Sequence, residues 1–206
     1  MFHTFLRRVV IPIYRLFYRP KIKGLENLPD GQNYIVISNH LGKVDCFAIV
    51  SLFREKIFFM AKKEWFDTKF KNKFFKWLGG IPVDREGADV TSIKNCFAVL
   101  KNGSRLVVFP EGTRNRANDE TLLPIKGGAG LIALKSKTTV VPLVMKKRFR
   151  PFRKNYMYIG KPFDFSEFYG QKVTSEISDQ ITEKMSIKLQ ECMDGVKEFE
   201  KEISKK

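Results

Sequence analysis

The chain has 206 residues, enough for one domain with a full-sized core and too few for two. Hydrophobic residues make up 43% of it, which argues against intrinsic disorder. Its 38 lysines and arginines outnumber 22 acidic residues, and the net charge of +16 predicts an anionic partner: nucleic acid, phospholipid headgroups or a phosphorylated substrate.

Residues 1–23 predict an amphipathic helical segment. Its apolar positions recur at helical spacing and are Phe2, Phe5, Leu6, Val9, Ile13, Leu16 and Phe17. Basic residues interleave with them, no acidic residue occurs, and Pro12 is expected to kink or interrupt the helix. The pattern suits the surface of an anionic phospholipid membrane and equally suits a helix packed on the domain. No stretch reaches the ~18 apolar residues needed to span a bilayer, so membrane contact is expected to be peripheral.

After a connector at Pro20–Asp30, short apolar runs alternate with helical patterns. The runs predict strands at Tyr34–Ser38, Ile57–Ala61, Ile81–Asp84, Arg105–Phe109, Thr139–Met145 and Asn155–Ile159. Helical spacing predicts helices over Ala88–Lys101, over Leu131–Lys137 and from Ser175 onward. The alternation predicts a single α/β domain over residues 24–206, with a mostly parallel central sheet flanked by helices.

The first polar motif follows the apolar strand Tyr34–Ser38 and contains His40 and Asp45. Histidine is well suited to take a proton near neutral pH, and a carboxylate can orient its ring and stabilise the imidazolium. Residues five apart on an ideal helix point about 140° from each other, so the two meet only if His40 lies in a turn before the helix. Gly42 would ease that turn. Spacing alone leaves open a histidine that only caps the helix or hydrogen-bonds locally.

A second polar segment places Arg85 at the end of a strand that begins after Gly79 and Gly80. A guanidinium there can bind a phosphate in a bidentate manner. The alternative is a surface turn formed by Asp84 and Arg85, which has no function.

The third polar segment follows the strand Arg105–Phe109. Its residues are Glu111, Gly112, Thr113, Arg114, Asn115 and Arg116. Backbone N–H groups beside Arg114 can bind a phosphate monoester. A buried Glu111 would need a partner, and an ion pair with Arg114 or Arg116 is the purely structural interpretation. Lys126, at the start of the next predicted helix, can add to the same anion site.

Other catalytic classes lack their residues in this sequence. It has no Gly-x-Ser-x-Gly elbow, no Walker A loop and no zinc-binding set among its histidines and cysteines. Cys46 is an acyl-enzyme nucleophile in principle, although a small core cysteine fits its position better. The Phe-rich segments Ile57–Met60 and Phe66–Trp77 suit either an acyl groove or core and surface anchors.

Four blocks, in this order, resemble the lysophosphatidic acid acyltransferases of the glycerolipid acyltransferase superfamily. The blocks are Asn39–Asp45, Gly80–Arg85, Phe109–Arg114 and Val141–Leu143. Gly24–Pro29 and Met60–Glu64 also match segments usual in bacterial members. One departure is Gly42, at a place where the family often has Ser, and it bears on the acceptor preference.

The resemblance implies a mechanism in which His40 takes the proton of an acceptor hydroxyl, while Asp45 orients the ring and balances its charge. The hydroxyl then attacks the thioester of acyl-CoA or an acyl carrier protein directly, with no cofactor and no metal. The implied substrate contacts are Arg85, Glu111, Gly112, Thr113, Arg114 and Lys126. The implied product is phosphatidic acid, made by acylating the sn-2 hydroxyl of lysophosphatidic acid at the cytoplasmic face of the cell membrane.

Two alternative functions are open at this stage. The same His/Asp chemistry can acylate another acceptor, such as glycerol-3-phosphate or a lyso-aminolipid. A basic nucleic-acid-binding domain would use only the +16 charge, and no nucleic-acid motif is recognisable. The expected partners are therefore an anionic phospholipid membrane, the lysophospholipid acceptor and the acyl thioester, without nucleic acid.

Overall fold

A seven-stranded sheet forms the centre of the protein. The computed structural model describes residues 6–31, 33–53, 55–84, 90–117 and 120–205. The strands are β1 (Pro20–Lys23), β2 (Ile35–Ser38), β3 (Ile57–Lys62), β4 (Gly80–Val83), β5 (Arg105–Val108), β6 (Val140–Met145) and β7 (Asn155–Ile159). Their order across the sheet is β1-β7-β6-β2-β5-β3-β4, and all neighbours in it pair in parallel except β6 and β7. The predicted α/β domain with a mostly parallel sheet is confirmed.

Helices cover both faces of this sheet. In the described residues they are α1 (Ile11–Tyr18), α2 (Asp45–Val50), α3 (Lys69–Leu78), α4 (Val90–Lys101), α5 (Gly128–Ser136) and α6 (Ser175–Ser204). One core cluster joins the sheet to α4, α5 and α6, for example through Cys96, Ala133 and Met185. A second cluster, on the other face, joins it to α1 and α2, through Tyr14 and Ile49, and α3 packs at its edge.

The register of β2 and β5 brings two polar motifs together. These adjacent strands run parallel, with Ile35 opposite Leu106 and Ile37 opposite Val108. Both strands are apolar and almost wholly buried, as expected for a parallel sheet covered on both faces. Because parallel strands end at the same edge, the chain after Ser38 emerges beside the chain after Val108.

The N-terminal region differs from the prediction at one point. Residues Leu6–Val10 form a π-helical turn that gives way to α1 at Ile11, and Pro12, which has no N–H to donate, lies at this change of helix type. Pro20–Lys23, predicted as part of a connector, is instead the edge strand β1, parallel to β7. A four-residue strand that starts with proline and carries two lysines resembles a loop in sequence, and such residues are typical of sheet edges.

No helix among the described residues is both long and apolar enough to cross a membrane.

The six predicted strands are all present, with ends shifted by at most one residue. The helices predicted at 88–101, 131–137 and from 175 correspond to α4, α5 and α6, and Ala88 lies outside the described residues. No helix was predicted where α3 lies, although Phe70, Phe74, Trp77 and Leu78 recur there at helical spacing. Thr68 caps α3 by accepting a hydrogen bond from the Lys71 N–H.

Candidate active site

The turn between β2 and α2 holds His40 and Asp45 in contact. The Nδ1 atom of His40 lies 2.7 Å from Oδ2 of Asp45, the first residue of α2. The contact exists because His40 lies in the turn before the helix and the chain folds back, which is the condition that the spacing imposed. The predicted His40–Asp45 contact is therefore confirmed. Since Asp45 occupies Nδ1, Nε2 is the ring nitrogen left to meet a substrate hydroxyl.

Asp45 also fixes the turn itself. Its Oδ2 accepts hydrogen bonds from the backbone N–H groups of Leu41 at 2.6 Å and Gly42 at 2.7 Å. The side chain is fully buried, and its Oδ1 has no hydrogen-bond partner in the described part of the chain. The carboxylate charge is therefore shared only with the imidazole and these two amides. This arrangement favours a positive charge on His40 at the moment it takes a proton.

Neighbouring residues clamp the histidine in place. The Asn39 side chain donates to the Met145 carbonyl at 2.8 Å and accepts from the Met145 N–H at 2.9 Å, which ties the turn to the end of β6. The Asn115 N–H donates to the His40 carbonyl at 2.7 Å. The His40 ring stacks on Phe109 with a centroid distance of 4.2 Å. Backbone and ring are thus both held, and such preorganisation favours catalysis.

Gly42 sits in a tight place within this turn. A Cβ atom at this position would lie 3.1 Å from Cγ of Arg148 and 3.5 Å from Oδ1 of Asp45. Arg148 in turn donates through Nε to the Leu41 carbonyl at 3.0 Å. A serine, usual here in the family that the sequence resembles, would require the Arg148 side chain to move.

The His40 ring opens into a cavity of about 230 Å³ with a basic wall. The wall includes Thr113, Arg114 and Arg116 from the loop after β5, with Lys43 and Lys62 beside them. In the described residues neither arginine forms an ion pair with an acidic side chain. The cavity therefore offers a base and cations to one anionic molecule.

Comparisons with known proteins identify the family of this chain. Residues 19–146 match the model of the acyltransferase family. The 1-acyl-sn-glycerol-3-phosphate acyltransferase of Bacillus subtilis is 33% identical over 154 residues, which cover 72% of this chain and 75% of that protein. This chain belongs to the acyltransferase family.

Two further proteins extend the likeness to nearly the whole chain. The 1-acyl-sn-glycerol-3-phosphate acyltransferase of Streptococcus pneumoniae is 28% identical over 208 aligned positions, covering 97% of this chain and 76% of that protein. A crystal structure of the 1-acyl-sn-glycerophosphate acyltransferase from Thermotoga maritima aligns with a TM-score of 0.65. At 24% identity, over 96% of this chain and 82% of that chain, it shows a shared fold.

The other predicted contacts of this acyltransferase fall in different places. Arg85 lies outside the described residues. Gly112 and Lys126 line a neighbouring cavity of about 360 Å³ rather than the one that His40 lines. Gly112 has a φ of +66°, and the Lys126 side chain runs alongside it. The Lys126 N–H donates to the Pro110 carbonyl at 2.8 Å, so the loop from 110 to 126 returns to its own start.

Glu111 is buried and lines neither of these two cavities. It is 3% exposed, and neither carboxylate oxygen has a hydrogen-bond partner in the described ranges, so the ion pair with Arg114 or Arg116 does not form. Burial raises the pKa of Glu111 to about 7. The nearby His40 N–H lowers this pKa and the Asp45 charge raises it, although the N–H makes no hydrogen bond of normal geometry.

The raised pKa of Glu111 predicts a pH-dependent stability. The stabilising contribution of the protonated carboxyl is complete below its usual pKa of 4.5 and is lost as the pH rises through about 7. Across that window we expect the free energy of unfolding of the wild type to fall relative to Glu111→Gln by about 3 kcal/mol. Urea unfolding at a series of pH values measures this difference. Parallel pH profiles for the two proteins would contradict it.

Cys46 lines the same cavity as His40, but its thiol is poorly suited to nucleophilic attack. Burial, and then the charge of Asp45, raise the pKa of its thiol to about 12, so the thiolate is scarce at neutral pH. The predicted site residues did not include Asn39 and Asn115, which position His40, or Lys43 and Lys62, which line its cavity. Asn39 stands next to His40 in the first block, and that adjacency was the available signal.

An apolar cavity of about 210 Å³ adjoins the basic one. Both are lined by Lys43, Cys46, Phe59 and Trp65. The remaining walls of the apolar cavity are Phe47, Val50, Phe74, Phe75 and Leu78, from α2 and α3. The Phe-rich segment at 66–77 thus walls a hydrophobic space next to His40.

Proposed function

We propose that this acyltransferase transfers a fatty acyl group to the sn-2 hydroxyl of lysophosphatidic acid, giving phosphatidic acid for phospholipid synthesis. The observation that carries the proposal is the His40–Asp45 pair at the edge of a cavity lined by Arg114 and Arg116. A base, its orienting carboxylate and cations for a phosphate are what acylation of a phosphorylated alcohol requires. The similar bacterial proteins carry the name of this activity.

In the proposed reaction, Nε2 of His40 takes the proton of the acceptor hydroxyl as its oxygen attacks the thioester carbonyl carbon. Asp45 holds the ring through Nδ1 and stabilises the imidazolium. The C–S bond then breaks, and the imidazolium returns its proton to the departing thiolate. The acyl group becomes an ester without an acyl-enzyme, which fits the high pKa of the Cys46 thiol. The chain's own residues supply this chemistry without a cofactor or metal.

The acceptor phosphate is assigned to Arg114, with Arg116 beside it and Thr113 shaping the site. Guanidinium groups bind phosphate oxygens in pairs and stay charged at all working pH values. Arg85 remains a predicted phosphate contact and Lys126 a predicted helper. Lys126 would reach this phosphate only from the neighbouring cavity, across Gly112. Glu111 is buried and does not line this cavity, so it is not expected to touch the phosphate.

The apolar cavity is assigned to a fatty acyl chain. Its walls are aromatic and aliphatic, and it meets the basic cavity at Trp65, so a chain lying in it ends near His40. The donor is acyl-CoA or an acylated carrier protein, and either presents the same thioester to His40. We infer a peripheral position on the cytoplasmic face of the membrane, where the lipid acceptor and product reside. Exposed Ile13 and Leu16 of α1, with nearby arginines, support this location.

A purified-protein assay tests the proposal. The acyl donor is either acyl-CoA or an acylated carrier protein, each with a labelled acyl group. Each donor is supplied with lysophosphatidic acid, glycerol-3-phosphate or a lyso-aminolipid as acceptor. Phosphatidic acid should form fastest. Faster turnover of a different acceptor would replace the proposed substrate while retaining the same chemistry. Tight, salt-sensitive nucleic-acid binding without acyl transfer would overturn the enzyme assignment.

Arg114→Ala should raise the KM for the acceptor by roughly 10- to 100-fold, because a charge-assisted phosphate contact contributes about 1.5–3 kcal/mol. The kcat should change much less. Steady-state kinetics with a short-chain, water-soluble acceptor separate the two constants. Arg153→Ala, an exposed arginine away from the cavity, is the matched control. An unchanged acceptor KM in Arg114→Ala would rule out the phosphate role.

A further inference from the structure

Helix α3 carries an apolar row that the protein core does not cover. Five of its ten residues are Phe, Trp or Leu, yet none of the ten is buried. Phe75 and Leu78 face the apolar cavity, while Phe70 is 81% exposed and stacks only loosely on Phe74, with centroids 6.5 Å apart. Trp77 is 42% exposed and lies two turns along the same side as Phe70. An exposed aromatic row of this kind marks an interaction surface.

The same helix is strongly basic. It contains four lysines and no acidic residue: Lys69, Lys71, Lys73 and Lys76. Lys71 pairs with Asp67 at 3.1 Å, and the other three form no ion pair among the described residues. The surface therefore combines aromatic side chains with uncompensated positive charge. This combination complements an anionic phospholipid bilayer, where aromatics enter the headgroup boundary and lysines meet phosphates.

Most of the exposed aromatics of the described chain belong to the helices packed on one face of the sheet, or lie next to them. They are Phe17, Phe47, Trp65, Phe70, Trp77 and Phe152. The first five lie on or next to α1, α2 and α3, which cover one face of the sheet, and Phe152 packs on Phe17 at 5.2 Å. The exposed large apolar residues of α4 and α6, on the opposite face, are aliphatic: Val90, Ile93 and Ile187. The aromatic exposure is therefore concentrated on the elements of the face that carries α1 and α3.

We propose that α3 is a second membrane-docking element, which inserts Phe70 and Trp77 at the surface of an anionic phospholipid bilayer beside the active site. This extends the peripheral location proposed above and does not depend on the acyl-transfer chemistry. Docking brings the bilayer against the helix whose inner side, through Phe74, Phe75 and Leu78, walls the apolar cavity. A lipid chain then passes from the membrane into the cavity with little exposure to water.

An acidic carrier protein is the rival partner for the lysines. Such a protein would use Lys69, Lys73 and Lys76 but has no need of an aromatic row over two turns of helix. The exposure of Phe70 therefore favours the bilayer.

The chain reports on this contact without a label. It contains two tryptophans, Trp65 and Trp77, and both belong to the segment that includes α3. With vesicles of phosphatidylcholine and phosphatidylglycerol, tryptophan emission of the intact protein should shift to the blue and be quenched by nitroxide-labelled lipid. Vesicles of phosphatidylcholine alone should give a weaker response, and added salt should reduce binding. Bound protein with unchanged tryptophan emission would overturn the proposal, since only other elements would then touch the membrane.

Substitutions separate the two docking elements. Phe70→Ser should lower vesicle partitioning about tenfold, and Lys69→Gln and Lys73→Gln about fivefold each. Leu16→Ser on α1 should lower partitioning too, but leave the emission shift of the bound protein intact. Ile187→Ser and Lys172→Gln, exposed positions outside this face, are the matched controls and should bind as the wild type does.

Two results would reject α3 as a membrane contact. One is wild-type partitioning by Phe70→Ser, whose urea unfolding curve verifies that the fold is intact. The other is a set of lysine variants that lose activity only with the carrier-protein donor, which would identify an acidic protein as the partner. His40→Ala should bind vesicles normally, so failure of the proposed reaction and failure of membrane docking are told apart.

Discussion

His40→Ala is expected to lower kcat by about 10²–10⁴-fold, because the acceptor hydroxyl loses the base that takes its proton. The fold should remain, since Asp45 still accepts from the Leu41 and Gly42 N–H groups and holds the turn. Turnover of purified protein at saturating donor and acceptor measures the loss. Thermal unfolding measures the fold.

The other histidine of the chain, His3, provides the matched control for this variant. His3→Ala should turn over at the wild-type rate. A His40→Ala protein within about tenfold of the wild type would exclude His40 as the base. Loss of both activity and thermal stability would instead mean that the ring is needed to hold the turn.

The main features of the fold were predictable because its central strands β2, β5 and β6 are buried on both faces. Runs such as Val140–Met145 are buried at every residue and contain no polar position, so they are recognisable in the sequence as strands. The edge strand β1 escaped prediction because Lys21 and Lys23 point to solvent or to ion pairs, for example Lys23 with Glu202 at 2.9 Å. Pairing at an edge depends on a distant partner, here β7, and leaves little trace in four residues.

The candidate site was predictable where the interactions are local. His40 and Asp45 are five residues apart, so a single turn decides their contact. The position of the Glu111 side chain depends on the path of a longer loop and was not predictable in this way. Opposite charges three residues apart suggested an ion pair with Arg114, but the arginine lines the cavity of His40, whereas the carboxylate is buried without a hydrogen-bond partner in the described residues. Lys126 lies beyond Gly112 for the same reason, since the loop from 110 returns on itself before α5.

The packing of α1 on α2 connects the proposed membrane contact to the candidate catalytic pair. Arg15 of α1 donates to the Ser51 carbonyl at the end of α2, the helix that begins with Asp45. The Tyr14 hydroxyl is buried without a hydrogen-bond partner in the described ranges, and burial, with a smaller effect of Asp45, raises its pKa. The helix expected to lie on the bilayer is thus packed against the helix that orients the base. Displacement of α1 would disturb the pair without touching either side chain.

Asp45→Asn should lower kcat by roughly 10²–10⁴-fold with only a small loss of stability. The amide oxygen can replace Oδ2 as acceptor of the Leu41 and Gly42 N–H groups, so the turn survives. A neutral amide, however, cannot stabilise the imidazolium that forms when His40 takes its proton. Asp45→Ala differs, because it leaves both buried N–H groups without an acceptor at about 1–3 kcal/mol each.

The double variant His40→Ala with Asp45→Asn gives the sharper test. If Asp45 acts only through His40, removing it from a protein that already lacks the imidazole should change kcat little further. Independent roles would instead multiply the two losses. The comparison of four proteins under one assay therefore decides whether the 2.7 Å contact between Nδ1 and Oδ2 is the working unit of this site or a structural bond beside it.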